Sequence, residues 1–428
     1  MALGATSFLG SAAERLLPLS VPFRFFGAAV LFHVAAWATL VAGAGELATF
    51  RGGGGAVLAA IHLMTLGVFV MTAVGASLQL LPVATLQGFA APARINAIWW
   101  LLNAGTICLA MGMYLRWHEI MAVGGALLTF AIGLYLWLLV GNLRRGGAMM
   151  AVVAHGWLAA GALIGLLVLG LVLIINTEHG FLANSQRAAV SHMLVAAYGF
   201  MGLLAMGFSY VLVPMFALAP MPSDKWALAA MFCACTGLAL GFAGTWFAQD
   251  AWAALGGGIG LIGAAIYLSL MAIILKQRMR RKLGPAFDLM RLSWALLPLS
   301  LLAGTAWALN LLPDWGAVIF GLWLFGWILG FLLAILQRIV PFLASMHAAF
   351  AVKRRPPTVT ALTARGPLAA HLYCHCAALV SLSAGIIWPI PFLVTLGAVA
   401  GLLGAASFAW FFLLAVLRYR TALRAPSA

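Results

Sequence analysis

Residues 60–82 read AIHLMTLGVFVMTAVGASLQLLP, in which one histidine, His62, precedes about twenty apolar residues that end at Pro82. A helix needs roughly 20 apolar residues to cross the hydrocarbon of a bilayer, so this stretch is long enough to span a membrane. An ionisable side chain inside such a segment is unfavourable and therefore usually has a function. No carboxylate lies within ten residues of His62, so its partner must come from elsewhere in the chain.

The composition of the whole chain is that of a protein solvated by lipid. Apolar residues make up 65% of its 428 residues and charged residues only 7%, whereas a soluble protein has about a quarter charged residues. Twelve apolar segments are long enough to cross a bilayer, and the lipid bilayer is the expected partner. They lie near 22–44, 55–84, 94–116, 119–142, 149–175, 188–218, 226–248, 251–276, 288–311, 315–343, 368–392 and 395–417. We therefore predict an all-α polytopic membrane protein with twelve transmembrane helices.

The basic residues predict the orientation of these helices. With a cytoplasmic N-terminus, only three of the 23 lysines and arginines fall in outer connections, namely Arg51, Arg116 and Arg187. Cytoplasmic connections carry the excess of Lys and Arg, so both termini are predicted to be cytoplasmic. The formal charge of +15 thus indicates topology, and no nucleic-acid partner is expected. The basic runs at 276–282 and 353–355 are interpreted as solvated loops, with contact to anionic lipid as the alternative.

Three spans share a pattern that indicates an internal repeat. The second, sixth and tenth spans end at Pro82, Pro214 and Pro341. A glycine stands fifteen residues before each proline, a small residue seven before, and a polar residue three or four before. These are Gly67, Gly75 and Gln79; Gly199, Gly207 and Tyr210; and Gly326, Ala334 and Gln337. Small residues allow helices to pack closely in lipid.

The repeat predicts how the chain is divided. Four spans separate successive prolines, and an even number of spans returns the chain to the same side of the membrane. We therefore predict three parallel four-helix units. The expected boundaries are a cytoplasmic lead at 1–21, units at 22–142, 149–276 and 288–418, and a cytoplasmic tail at 419–428.

Two histidines occupy similar depths in the first two units. His62 lies twenty residues before Pro82, and His192 lies twenty-two before Pro214. Neutral imidazole is the commonest metal ligand in proteins, and thioethers suit Cu(I). Four methionines share these spans: Met64, Met71, Met193 and Met201. We predict an outer haem or metal site at His62 and His192, with His33 of the first span as a third member. The alternative is histidines hydrogen-bonded between packed helices, with the methionines as filler.

A second, inner metal site is predicted from the other buried histidines. His371 and His375 are four residues apart and share one helix face, and His155 lies at a similar cytoplasmic depth. Hydrogen bonding at the membrane interface is the alternative. The sequence YCHC at 373–376 is neither a zinc CxxC pair nor a haem-attachment CxxCH, so covalently attached haem is not indicated.

The predicted topology resembles subunit I of the haem-copper oxidases, which has twelve helices in three units with both termini inside. HLMTLGVFVM at 62–71 is similar to the second-helix segment of that superfamily, whose histidine binds low-spin haem near the outer face. The likeness is closer to the NnrS-type proteins, distant relatives that carry haem and copper and are linked to nitrosative stress. PFRFF at 22–26 matches the start of their first helix.

The resemblance implies a haem- and copper-containing protein of the bacterial inner membrane. It implies b-type haem, copper or both, with His62 as an axial haem ligand and His192 as a second ligand to haem or copper. Components of the respiratory chain are implied as partners. The sequence departs from the oxidases where CACTG stands at 233–237 in place of paired histidines, and their tenth-helix haem ligands are missing. Reduction of oxygen or nitric oxide, and proton pumping, are therefore not expected.

Two other classes of protein stay open as alternatives. All eight acidic residues lie in or near connecting segments, which disfavours a proton-coupled transporter, because such a relay normally needs buried acids. A passive or metal-relay permease, for copper or a small solute, remains compatible with the sequence. An assembly factor of a respiratory complex is the third hypothesis. Whether the protein is an enzyme is left open.

Overall fold

The computed structural model describes residues 17–89, 91–147, 149–351 and 356–424, and these residues form helices and short connections without any β-strand. Most of the predicted lead, the end of the predicted tail and the basic run at 353–355 lie outside the described residues. Within the described part, twelve helices are long and apolar enough to cross a membrane, which matches the predicted number. Large apolar side chains are exposed on their outer faces, as contact with lipid requires.

We number these helices α1 to α12. Their bounds are Ser20–Ala42, Ala56–Thr85, Pro92–Leu115, His118–Leu143, Met150–His179, Ser185–Ala217, Asp224–Phe247, Asp250–Lys276, Pro285–Ala308, Gly316–Ala351, Arg365–Ile387 and Pro391–Arg424.

The three repeat prolines do not end their helices, contrary to the prediction. Pro82, Pro214 and Pro341 lie inside α2, α6 and α10, which continue to Thr85, Ala217 and Ala351. A proline removes one backbone hydrogen bond, but membrane helices tolerate it because neighbouring groups satisfy the freed carbonyl. The proline therefore marks a position in the helix and not its end.

The helices pack as a closed ring around a buried centre. α3 packs against α4, α7 against α8, α9 against α10 and α11 against α12, and α12 returns to pack against α1. The most buried helices are α2, α6 and α10, whose apolar windows are 61%, 89% and 72% buried. Segments of α2 and α6 contact α10. The three helices that contain the repeat prolines thus form the interior of the bundle.

The repeat glycines are the points where these inner helices approach their neighbours. A Cβ at Gly67 would overlap the ring of Phe32 on α1, and one at Gly75 would lie 2.8 Å from Cβ of Phe25. In α6, a Cβ at Gly207 would lie 2.7 Å from Cβ of His155. Only glycine fits at this separation of the helices, as the small-residue pattern indicated.

The inner helices α2 and α6 each contain a π-helical segment beside a histidine. The first runs from Leu63 to Val70, directly after His62. The second runs from Val195 to Met201, three residues after His192. Each segment begins nineteen residues before the proline of its helix, whereas α10 is α-helical throughout. π-Helical turns inside α-helices are rare and frequently occur at functional sites.

Candidate functional site

A large cavity of about 850 Å³ lies between the inner helices and the helices around them. α1 to α6 and α9 to α11 contribute to its wall, which consists mostly of Leu, Ile, Val, Met and Phe side chains. Ligand sites in proteins typically measure about 300–1,000 Å³ and are lined by apolar groups with a few polar ones. His62 and His192 both line this cavity.

His62 is held by the backbone of its own helix. Its Nδ1 lies 3.0 Å from the carbonyl oxygen of Leu58. Because a carbonyl can only accept, Nδ1 carries the proton and donates it, so Nε2 of the neutral ring keeps a free lone pair. A histidine that binds a metal usually donates its other ring N–H to such a carbonyl.

His192 is seated against α5. A Cβ at Gly170 would lie 3.2 Å from Cε1 and 3.8 Å from Nδ1 of this imidazole, so only glycine leaves the ring its place. Nδ1 is buried and makes no regular hydrogen bond, and Nε2 is the ring nitrogen farther from Gly170.

The structure places both histidines on the wall of one cavity, although they lie on different helices. Three of the four methionines singled out in the sequence also line the cavity, namely Met64, Met193 and Met201. Met71 is fully buried in the core.

His33 is placed with the second histidine group and not with His62. Its ring centroid lies 6.2 Å from that of His371, which lies 5.7 Å from that of His375. We call these three residues the imidazole cluster. The grouping arises because α12 packs against both α1 and α11, so the last helices close onto the first. His375 also reaches the wall of the cavity.

Hydrogen bonds assign the tautomers of two rings in the imidazole cluster. Nε1 of Trp37 donates to Nε2 of His33 over 3.1 Å, so the proton of His33 is on Nδ1. Nδ1 of His371 donates to the Gly404 carbonyl over 3.0 Å, so its lone pair is on Nε2. Both remaining nitrogens lack a partner. The remaining nitrogen of His33, Nδ1, is a donor, and that of His371, Nε2, is an acceptor. This pair fits a hydrogen-bonded arrangement better than a metal site, because a protonated nitrogen cannot bind a metal.

His155, the third residue predicted for the inner site, lies elsewhere. Its ring packs against Tyr210, with centroids 5.5 Å apart, and against Gly207 at the interface of α5 and α6. Its Nδ1 donates to the carbonyl of Ala151 over 2.7 Å. The structure therefore separates His155 from the imidazole cluster, because α5 packs on α6 and not on α11.

The residues at the open end of the cavity were not predicted as part of a site. Arg51, Arg116 and His118 are exposed and line the cavity where α1 joins α2 and α3 joins α4. No aspartate or glutamate is among the lining residues. In the sequence, this end of the cavity is indicated by Arg51 and Arg116, because both stand in connections predicted to be outer, where basic residues are unusual.

A second, smaller cavity lies between α6, α7, α8, α9 and α10. Its volume is about 100 Å³, and no histidine lines it. Tyr198 occupies the space beside it, with its ring stacked on Trp327 and its hydroxyl 2.9 Å from that of Ser300. This space is smaller than the range typical of ligand sites.

Among the described residues, no three His, Cys, Asp or Glu side chains converge in a way that could hold a metal ion. No protein-family model matches the sequence, and no curated protein matches it either. The function must therefore be inferred from the geometry of the large cavity.

Proposed function

We propose that this chain is a multi-pass protein of a bacterial inner membrane that binds b-type haem in the large cavity. His62 is the axial ligand, and His192 is a second ligand to the haem or to copper. The observation that supports this assignment is that two imidazoles, from α2 and α6, both line one apolar cavity of about 850 Å³.

The residues present fit a haem. The cavity has the size and apolar wall of a cofactor site. His62 keeps a lone pair on Nε2 because the Leu58 carbonyl holds Nδ1, which is the usual support for a metal-bound histidine. A porphyrin brings four nitrogen donors of its own, so one or two protein ligands are sufficient.

Each part of the wall has a distinct role in this proposal. The Leu58 carbonyl fixes the tautomer and orientation of His62, and Gly170 makes room for the ring of His192. The apolar side chains exclude water from the cavity. A bound haem would supply an iron centre for electron transfer or for a small ligand such as nitric oxide, in keeping with the resemblance to NnrS-type proteins.

We extend the proposal to the architecture, as three parallel four-helix units with both termini in the cytoplasm. Its support is the common position of the π-helical segments relative to Pro82 and Pro214, together with the burial of the corresponding helices. The third unit has neither the histidine nor the π-helical segment. In this scheme only the first two units carry the cofactor ligands.

Absorption spectra of purified variants test the proposed haem site. The protein is expressed with haem supplementation, and the Soret band and the haem content are measured. We expect His62→Ala to lose most of the haem and His192→Ala to change the ligation of the iron or lose copper. His179→Ala is the matched control, because His179 is exposed at the end of α5. A wild-type protein with neither a Soret band nor bound copper would falsify the proposal.

One observation also favours a transport function. The cavity opens to solvent at the end that holds Arg51 and Arg116, as a solute pathway requires. Uptake of copper or a small solute into proteoliposomes that persists in the His62→Ala, His192→Ala double variant would support a permease over a haem protein.

A further inference from the structure

The open end of the large cavity includes two segments that are fixed to one another, the connection between α1 and α2 and the end of α3. The N–H of Gly55 donates to the carbonyl of Met113, near the end of α3, over 2.8 Å. Nε of Arg116 donates to the carbonyl of Gly54 over 3.2 Å. The connection between α1 and α2 is thereby attached to the end of α3, and both arginines lie at the edge of the cavity.

The glycine run at 52–55 is what allows this attachment. Gly52, Gly53 and Gly55 have φ values of +99°, +92° and +134°, which side chains rarely adopt. A Cβ at Gly54 would lie 2.9 Å from Cγ of Arg116 and 3.1 Å from the Met113 carbonyl oxygen. The sequence RGGGG at 51–55 therefore places Arg51 at the cavity, and its Gly54 leaves room for the side chain of Arg116.

The two guanidinium groups have no carboxylate partner. The single ion pair among the described side chains joins Arg291 and Asp288. Glu46 is nearby, but it forms no ion pair with Arg51 or Arg116 and does not line the cavity. Arg187, the third outer arginine, does not line the cavity either. Arg51 and Arg116 thus form no ion pair, although the Glu46 carboxylate lies near the Arg116 guanidinium beside Gly55. Both arginines stand at an apolar cavity that is lined by imidazoles.

We propose that Arg51 and Arg116 bind the carboxylates of the ligand in this cavity, which are the two propionates of haem. This inference rests on the proposed haem function. The arrangement suits a molecule with an apolar body and a carboxylate edge, because arginine binds carboxylates through paired N–H donors. His62 lies six residues into α2, or roughly 9 Å along the helix from this end. The propionate edge faces solvent while the iron reaches the imidazoles.

Haem whose propionates are esterified provides the test, because it keeps the porphyrin and the iron but has no carboxylate. We measure the rate at which each form leaves the purified full-length protein for an excess of a soluble haem acceptor at low salt. We expect the ester to leave the wild-type protein about fivefold faster than haem does, an effect typical of partly exposed ion pairs. The difference decreases at high salt because the charges are screened.

The variants identify the residues responsible. In the Arg51→Gln, Arg116→Gln double variant, haem itself leaves about fivefold faster, and esterification makes no further difference. Arg187→Gln is the control and behaves as the wild type. Equal rates for haem and its ester in the wild-type protein would overturn the inference while leaving the haem site intact. A protein that binds neither form would overturn the proposed function instead.

Discussion

At the scale of single residues, the position of His192 depends on residue 170 being a glycine, which has no Cβ. The ring lies against the backbone of α5, with Cε1 3.2 Å from where a Cβ would stand. Any larger residue must push the imidazole away. The glycine therefore acts as a positioning residue for the second ligand.

This argument predicts that Gly170→Val alters the proposed iron site without unfolding the protein. The valine displaces the ring of His192, so we expect an altered ligation state in the absorption and paramagnetic resonance spectra. Gly161→Val is the matched control on the same helix, because no atom lies within 4 Å of a Cβ at Gly161. Identical spectra for the two variants would contradict the assigned role of Gly170.

The histidines show how far residue patterns lead. The prediction that His62 and His192 share a site rests on their similar depths, twenty and twenty-two residues before the repeat prolines, and the structure places both on the wall of one cavity. The contact of His33 with His371 could not be predicted in this way. It depends on α12 packing against α1, and no local sequence pattern indicates a contact between the first and last of these helices. Arg51 and Arg116 were interpreted only as exceptions to the charge distribution.

At the scale of helices, the close approach of α1 to α2 depends on Gly67, where a Cβ would overlap Phe32. We expect Gly67→Val to lower the free energy of unfolding by about 1–3 kcal/mol, the usual effect of overpacking. Thermal unfolding in detergent measures the change. Gly321→Val is the control, since Gly321 lies on the inner helix α10 and no atom lies within 4 Å of a Cβ at this position.

A second substitution tests the cause of that destabilisation. If the clash with Phe32 is responsible, Phe32→Ala should be less destabilising in the Gly67→Val background than in the wild type, because the contacting pair is coupled. Additive effects of the two substitutions would show that the valine acts elsewhere.

Helix number and helix ends differ in how well the sequence predicts them. The twelve apolar segments follow from length and composition alone, and the structure has twelve such helices among its described residues. The spans predicted at 55–84, 188–218 and 315–343 end within one residue of the ends of α2 and α6, and eight residues before the end of α10. The prolines lie inside all three helices, since proline is compatible with a membrane helix. The π-helical segments could not be predicted, because one extra residue in a turn leaves an apolar sequence equally apolar.

At the scale of the whole molecule, the twelve predicted crossings are an even number, which predicts both termini on the same side of the membrane, and the basic residues predict which side. Three of 23 lysines and arginines fall in the connections on the opposite side. Two of these three are accounted for by the cavity that they line. Two of the three exceptions to the charge rule are thus the residues that we propose to bind the ligand, and Arg187 is the third.

The predicted orientation is tested with reporter fusions. Alkaline phosphatase fused after Arg424 should be inactive, because the enzyme needs export, whereas a fusion in the connection between α5 and α6 should be active. Green fluorescent protein at the same two positions should give the opposite result. An active phosphatase at the C-terminus would invert the bundle and place Arg51, Arg116 and the open end of the cavity in the cytoplasm. The haem site would keep its geometry in that case, but its ligand would have to arrive from the other side of the membrane.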